Sequence, residues 1–394
     1  AASQHLQKAH ALKPEWPEAA AAMIEVAGTG TGDSSESMEQ WFLRAVEAQP
    51  DYLEAYNSMF HFLLPQWNGT NEMVERVGQF GLETRMFETM APAAYYNALS
   101  KLATYDRSGK YAFWRSVAKT RYPQLQEMCE EYEKSKRLRW YRYYFRSIHL
   151  GAAWHAGEYE KALALLDQVE QNPHSGPMED MGISVPSMLA EVHALGGKAG
   201  DTVKNAQNLL AEKRWEEAQK QIDEALLAYH DDPHAVRFLQ NLAAAKDLNQ
   251  KMEAGDWVDL TFDKELTGWK VDAGTWKRRD ASTLVGRASG KTISITMLAP
   301  MGNCYEFRGE VAIPRIRYRT DQGGFFFGKS IFPSTEITGV LLCPNQKTLA
   351  VQTRPQIYRF AMEKAEEFVR SDVNAFHVRV WNDPYLVRIN GKPI

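Results

Sequence analysis

The sequence predicts a multidomain chain, α then β, with a helical-repeat array over residues 1–250 followed by an all-β unit over 256–394. Two observations carry this prediction. A segment near the N-terminus recurs without a gap 36 positions later, Lys8 to Ala19 aligning on Arg44 to Ala55. From Gly255 onward helical spacing gives way to alternation, Trp257, Asp259 and Thr261 interleaving with Val258, Leu260 and Phe262. Charge divides at the same place. Residues 1–254 carry 26 basic and 35 acidic side chains, net −9, whereas 255–394 carry 20 and 15, net +5.

In order along the chain, the repeated segment keeps Pro14 and Pro50, the aromatic pair Trp16 and Tyr52, and Ala19 and Ala55. A second pair lies later: Gly157 to Leu163, with Tyr159 and Ala162, matches Lys213 to Gln219, with Trp215 and Ala218, and is followed by Ile222, Ala225, Leu226 and Pro233. An aromatic and a small Ala let antiparallel helices approach closely, and Pro opens the next helix where its missing N–H costs nothing. The spacing resembles the tetratricopeptide repeat, of about 34 residues. The resemblance implies a TPR-like α-solenoid, with the pattern degenerate over about 70–150. Leu63 to Gly69 is similar to a motif of bacterial helical-repeat domains, with no activity implied. Gly28 to Ser35 reads as an inter-helix loop rather than a phosphate cradle, since no Gly-Lys-Ser/Thr follows it. Asn172 to Pro177 and Leu195 to Gly200 read as turns between helical pairs.

The β half is read from Thr292-Ile293-Ser294-Ile295-Thr296 and similar runs, with Ala361 to Phe368 left as a short helix or a charged loop. Its landmarks in order are Phe262, Leu266-Thr267-Gly268-Trp269, Gly274-Thr275-Trp276, Leu284-Val285-Gly286, Tyr305 to Glu310, Gly323 to Phe327, and Phe376 to Trp381 with Asn390-Gly391. They resemble the concanavalin-like jelly rolls, and among these the 3-keto-disaccharide hydrolase family. The resemblance implies a lectin-like β-sandwich whose last strands are missing, and hydrolysis or lyase chemistry on a 3-keto disaccharide. Gln322-Gly323-Gly324, Lys329 and Thr338 to Leu341 depart from the positions that would carry that activity. The absent Met and the Asn-Gly turn signal near the end suggest a piece of a longer protein.

Composition narrows the function classes. A 44% hydrophobic content supplies at least two cores, and no apolar run is long enough for a membrane-spanning helix. Cys129, Cys304 and Cys343 are too few and too scattered for a disulfide framework or a zinc site. A Cys304 to Cys343 bridge would imply an oxidising compartment, and an extracytoplasmic setting is slightly favoured over the cytoplasm.

Four groups of residues are candidate sites. Glu306 and Glu310 share one strand face as glycosidase carboxylates do, but stand about 13 Å apart unless Gly309 introduces a bulge. Trp269, Trp381 and Tyr385 are the glycan-contact candidates, because planar apolar rings stack on sugars; Trp269, Trp276 and Trp381 also suit a core, and Tyr385 follows a turn at Asn382-Asp383-Pro384. The run Lys134 to Arg146 interleaves cations with Trp140, Tyr141, Tyr143, Tyr144 and Phe145. On a helix Leu138, Tyr141 and Phe145 would share a packing face while the arginines pair with Glu127, Glu130, Glu131 and Glu133. Arg139, Tyr141 and Arg142 are the protein-contact candidates, and the acidic host argues against nucleic acid. His230 and His234 have metal-like spacing, but Pro233 breaks their alignment; with His155 and His377 they read as structural.

The expectation is a non-catalytic interaction or structural subunit of a larger bacterial assembly, with other protein subunits as partners and no cofactor required. The alternatives are a carbohydrate-binding module and the disaccharide enzyme.

Overall fold

The computed structural model describes residues 2–30, 36–67, 69–106 and 109–254, then Leu266 and a series of strands between 269 and 393, with strand side chains placed only at 277–280 and 284–285. The chain divides into two compact units, Ala1–Lys198 and Ala199–Ile394.

The first unit is helical: α1 (Ala2–Leu12), α2 (Pro17–Thr29), α3 (Met38–Ala48), α4 (Leu53–Phe62), α5 (Asn71–Glu83), α6 (Ala94–Tyr105), α7 (Lys110–Lys134), α8 (Arg142–Ala156), α9 (Tyr159–Gln168), α10 (Ser175–Asp180) and α11 (Val185–Gly196). The repeated segments adopt the same local structure, each closing one helix, turning at Pro14 or Pro50, and opening the next. This is compatible with a helical repeat. Ser37 and Gln40 form a capping box on α3 and Thr70 caps α5, satisfying amides that have no partner within the helix. One contiguous core runs from α2 to α11, with Trp114, Trp154, Tyr56, Tyr95, Tyr96 and Tyr132 among its largest buried side chains. Helices α5 and α6 approach closely because Gly81 has no side chain: a Cβ there would lie 2.6 Å from the Ala91 carbonyl oxygen and 2.8 Å from the Ala94 Cβ.

A half-buried polar clamp ties four of these helices. Arg115 on α7 donates to the Trp154 carbonyl at 2.8 Å and pairs with Glu191 of α11 at 3.4 Å. The same carboxylate accepts from Trp154 Nε1 at 2.9 Å and from the Tyr159 hydroxyl at 2.8 Å.

The second unit opens with α12 (Gly200–Ala211), α13 (Trp215–Ala228) and α14 (Pro233–Glu253). The matched pair Gly157 and Lys213 both sit in the left-handed region, at φ 85° and 61°, two positions before the aromatic that opens a helix. The residue after each donates five positions back, Glu158 to the Ala153 carbonyl and Arg214 to the Leu209 carbonyl, both at 2.9 Å. Ala162 and Ala218 are fully buried at the equivalent place. Asp232 caps α14 through the His234 and Ala235 amides, with Pro233 at the first position.

Beyond α14 come β1 (Trp269–Ala273), β2 (Thr275–Arg278), β3 (Leu284–Arg287), β4 (Ser294–Met297), β5 (Cys304–Val311), β6 (Gly323–Gly328), β7 (Ile337–Cys343), β8 (Thr348–Thr353), β9 (Gln356–Ala361), β10 (Asn374–Trp381), β11 (Tyr385–Ile389) and β12 (Lys392–Pro393). Their pairings are antiparallel: β1 with β4, β2 with β3, β6 through β9 in order, and β12-β11-β10-β5.

These findings correct the expected fold class. Of the residues placed with their side chains 77% are helical, and the strands among them amount to a single two-stranded pair. The concanavalin-like β-sandwich expected over 256–394 is not seen: no described residue packs one sheet on another. The physical reason lies in what alternation encodes. A two-residue rhythm specifies a strand and its two faces, whereas a sandwich requires two inner faces buried on each other. The sandwich rested on short family-like motifs.

Smaller corrections follow. Gly28 and Thr29 belong to the last turn of α2, and 31–35 lie outside the described residues. Ser175 to Pro177 start α10, while Leu195 and Gly196 end α11 and Gly200 starts α12, so those turns are shorter than expected. The stretch after Ala361 to Phe368 lies outside the described residues. No helix among the described residues is long and apolar enough to cross a membrane.

Candidate functional site

The connection from α7 to α8 combines exposed aromatic rings with exposed cations. Lys134 ends α7, Arg139–Tyr141 form a single 3-10 turn, and Arg142 opens α8. The two helices are locked where they meet. The Tyr132 ring stacks on Phe145 with centroids 3.8 Å apart, and Arg146 grips Glu133 with two nitrogens at 2.9 and 2.8 Å. Tyr132 also donates to the Thr89 carbonyl and accepts from the Ala93 amide, both at 3.0 Å, which carries the lock to the segment preceding α6.

That preceding segment supplies the organising residue, Glu88. Its carboxylate accepts from the Arg137 amide at 2.8 Å, the Lys136 amide at 3.3 Å and the Ser135 hydroxyl at 3.1 Å. The Arg137 N–H and the other donors hold this carboxyl below the usual carboxylate range. Ser135 Oγ in turn accepts from the Leu138 amide, and the Ser135 carbonyl accepts from Arg142 Nη2 at 3.1 Å. The turn is therefore held by hydrogen bonds to the side chains of Glu88, Ser135 and Arg142.

What the turn presents outward is aromatic and cationic. Trp140 is 80% exposed, Tyr141 49% and Tyr143 39%. The Arg139 guanidinium lies 4.7 Å over the Trp140 ring. Lys136 and Arg137 are also exposed. Of the protein-contact candidates, Arg139 and Tyr141 face solvent, while Arg142 is half-buried and turned back to Ser135 as a strut.

Two expectations for this run are corrected. Phe145 is buried and Leu138 half-buried against the core, but Tyr141 does not share their face, because the 3-10 turn interrupts the helix that would have aligned the three. Of the four acids expected to pair with this run's arginines, only Glu133 does so, with Arg146. Glu127 pairs with Arg85, Glu130 with Lys161 and Glu131 with Lys134.

Other candidate residues separate rather than converge. Trp269, Trp381 and Tyr385 fall in β1, β10 and β11, where Tyr385 opens its strand opposite Val380; their side chains, and that of Trp276, lie outside the described residues. Glu306 and Glu310 lie on β5, whose register with β10 continues through Gly309 opposite Phe376 without a bulge. The backbone spacing is thus that of an unbulged strand, about 13 Å between residues four apart. Cys304 and Cys343 lie on β5 and β7, again with side chains outside the described residues, as is His377. Cys129 is a buried free thiol whose pKa burial pushes up, which makes it unreactive at neutral pH. His155 is buried, with Nε2 3.1 Å from the Met181 carbonyl, and His230 contacts the Leu227 carbonyl on the helix preceding the one that carries His234 in its first turn. Among the described residues no group of three or more His, Cys, Asp or Glu is placed to hold a metal ion.

Two open grooves lie elsewhere among the described residues. One, of about 570 Å³ in the second unit, is lined by Trp215, Glu216, Asp223 and Lys246, and its lysine is engaged by Gln219 at 2.7 Å and Asp247 at 2.9 Å. The other, of about 290 Å³, lies between α2 and α4 beside Glu25, Ser58, His61 and Phe62. In the second groove the exposed Ser58 hydroxyl donates to Glu25 Oε1 at 3.3 Å.

Sequence reasoning found the α7–α8 run by its composition but missed Glu88, which lies 47 to 49 positions before the groups it binds. No local pattern marks it. Comparison with family models, with curated proteins and with solved structures gives no match to this chain.

Proposed function

We propose that this chain is a non-catalytic interaction subunit of a larger assembly, and that the α7–α8 turn is one of its protein contacts. The observation that carries the reading is Trp140, an indole 80% exposed on a turn whose backbone is fixed from below. Exposing so large an apolar ring to water is unfavourable, and Trp, Tyr and Arg are the residue types that anchor protein interfaces. Presenting them on a pre-ordered turn lowers the entropy lost on binding. The helical units supply the scaffold, in the way helical arrays offer extended protein-binding surfaces.

The test is the native mass of the particle that contains this chain, combined with a photo-crosslinker placed at position 141 beside Trp140. The expected result is a particle heavier than one chain and a crosslinked protein neighbour at the turn. A free monomer with no crosslinked neighbour would sink the reading.

A further inference from the structure

We infer that the α7–α8 turn is a docking site for a short acidic segment of a partner protein, whose carboxylates seat on Lys136, Arg137 and Arg139 while a neighbouring apolar side chain packs on Trp140. The inference rests on the interaction reading above and adds the chemistry of the occupant.

Charge bookkeeping at the turn selects that chemistry. Between Lys134 and Arg146 the sequence has no acidic residue. Lys134 is paired with Glu131 and Arg146 with Glu133, and Arg142 is turned inward to the Ser135 carbonyl. Lys136, Arg137 and Arg139 are left exposed without a salt bridge among the described residues. Two further acids of α7 are committed elsewhere, Glu127 to Arg85 and Glu130 to Lys161. The remaining negative charge at the turn is Glu88, which interacts with Arg137 but directs its oxygens to backbone amides and the Ser135 hydroxyl. Three cations against one carboxylate leave an excess of two positive charges around an exposed indole.

That excess stands out because residues 1–254 are net −9. A partner carrying a compact cluster of carboxylates gains from the turn, whereas a long polyanion would also meet the acidic surroundings. Glu127, Glu131 and Glu133 on the C-terminal half of α7 are each held in an ion pair, so the penalty on a long polyanion comes from the net negative charge of the host segment. Guanidinium groups fit carboxylates in a planar, two-point geometry, and Trp140 gives the segment an apolar anchor that charge alone does not. Steering by such a patch raises the association rate and makes binding sensitive to salt.

The experiment uses the full chain and a fluorescein-labelled peptide in which glutamates flank one leucine, read by fluorescence anisotropy. Saturable binding that weakens as salt rises is expected, with no binding of the same peptide carrying glutamine for glutamate. The double variant Arg137→Glu, Arg139→Glu should lose at least about tenfold in affinity, and Trp140→Ala a comparable factor. Both variants alter exposed side chains, and an unchanged thermal melt establishes that they are folded. Binding of the charge-reversed, folded variant at wild-type affinity would overturn the inference, as would failure of the glutamate peptide to bind. Displacement of the peptide by a single-stranded RNA that binds more tightly, with the same dependence on Arg137 and Arg139, would overturn it in favour of nucleic acid. If the peptide fails while the crosslinker at 141 still captures a protein neighbour, the docking chemistry is wrong and the interaction reading survives.

Discussion

His149 illustrates how burial sets chemistry one residue at a time. Its ring is buried in α8, Nε2 lies 3.1 Å from the Tyr122 hydroxyl, and burial first, then the nearby Lys161 ammonium, lowers its pKa from 6.5 to about 4. Glu130 pulls the other way but is itself paired with Lys161. The folded protein therefore keeps this imidazole neutral while the unfolded chain protonates it near pH 6.5. The contribution to stability is complete above pH 6.5 and is lost as pH falls toward 4, by up to about 3 kcal/mol. Urea unfolding measured across this window should show that loss. A His149→Gln variant, which keeps a polar group beside Tyr122 but does not titrate there, should show a flatter profile. An unchanged acid slope in the variant would assign the loss to other groups.

Among the elements, the α7–α8 turn depends on a single carboxylate from elsewhere in the chain. Replacing Glu88 by Ala frees the Lys136 and Arg137 amides and the Ser135 hydroxyl together. The expected outcome is faster hydrogen exchange at those two amides, with the buried body of α8 unaffected. Equal exchange in wild type and variant would mean that the stacked Tyr132 and Phe145 suffice to hold the turn. Much of the helical architecture was legible in the sequence, because its signals are local. Pro233 does open a helix while Pro14 and Pro50 lie in the turns before one, and the 36-residue offset marks two equivalent helix–turn–helix joints. The turn itself was half legible. Its aromatic and basic composition was plain, but the exposure of Tyr141 depends on a 3-10 turn, and the supply of free cations depends on where distant acids are spent.

For the whole molecule, the same reasoning explains why strands but not their stacking are legible in the second half. Alternation along 256–394 is satisfied by the observed antiparallel pairings, such as Phe325 with Val340 and Val378 with Phe307, and does not specify how sheets stack. Helices account for close to half the chain. Far-UV circular dichroism of the full chain should accordingly give a helix fraction near half, and a value below about a third would be inconsistent with intact helices α1 to α14.

The exposed indole of Trp140 has an optical consequence. Trp114 and Trp154 are buried and emit from a dry surrounding, whereas Trp140 emits from water and lies among uncompensated positive charges. Collisional quenchers sense that difference: iodide is drawn to this ring and caesium is repelled, so the two ions have unequal access to its excited state. Comparison with Trp140→Phe isolates this contribution from the other tryptophans. The local potential at the turn is thus readable in a cuvette before any partner is in hand, through the sign of the ion that dims it.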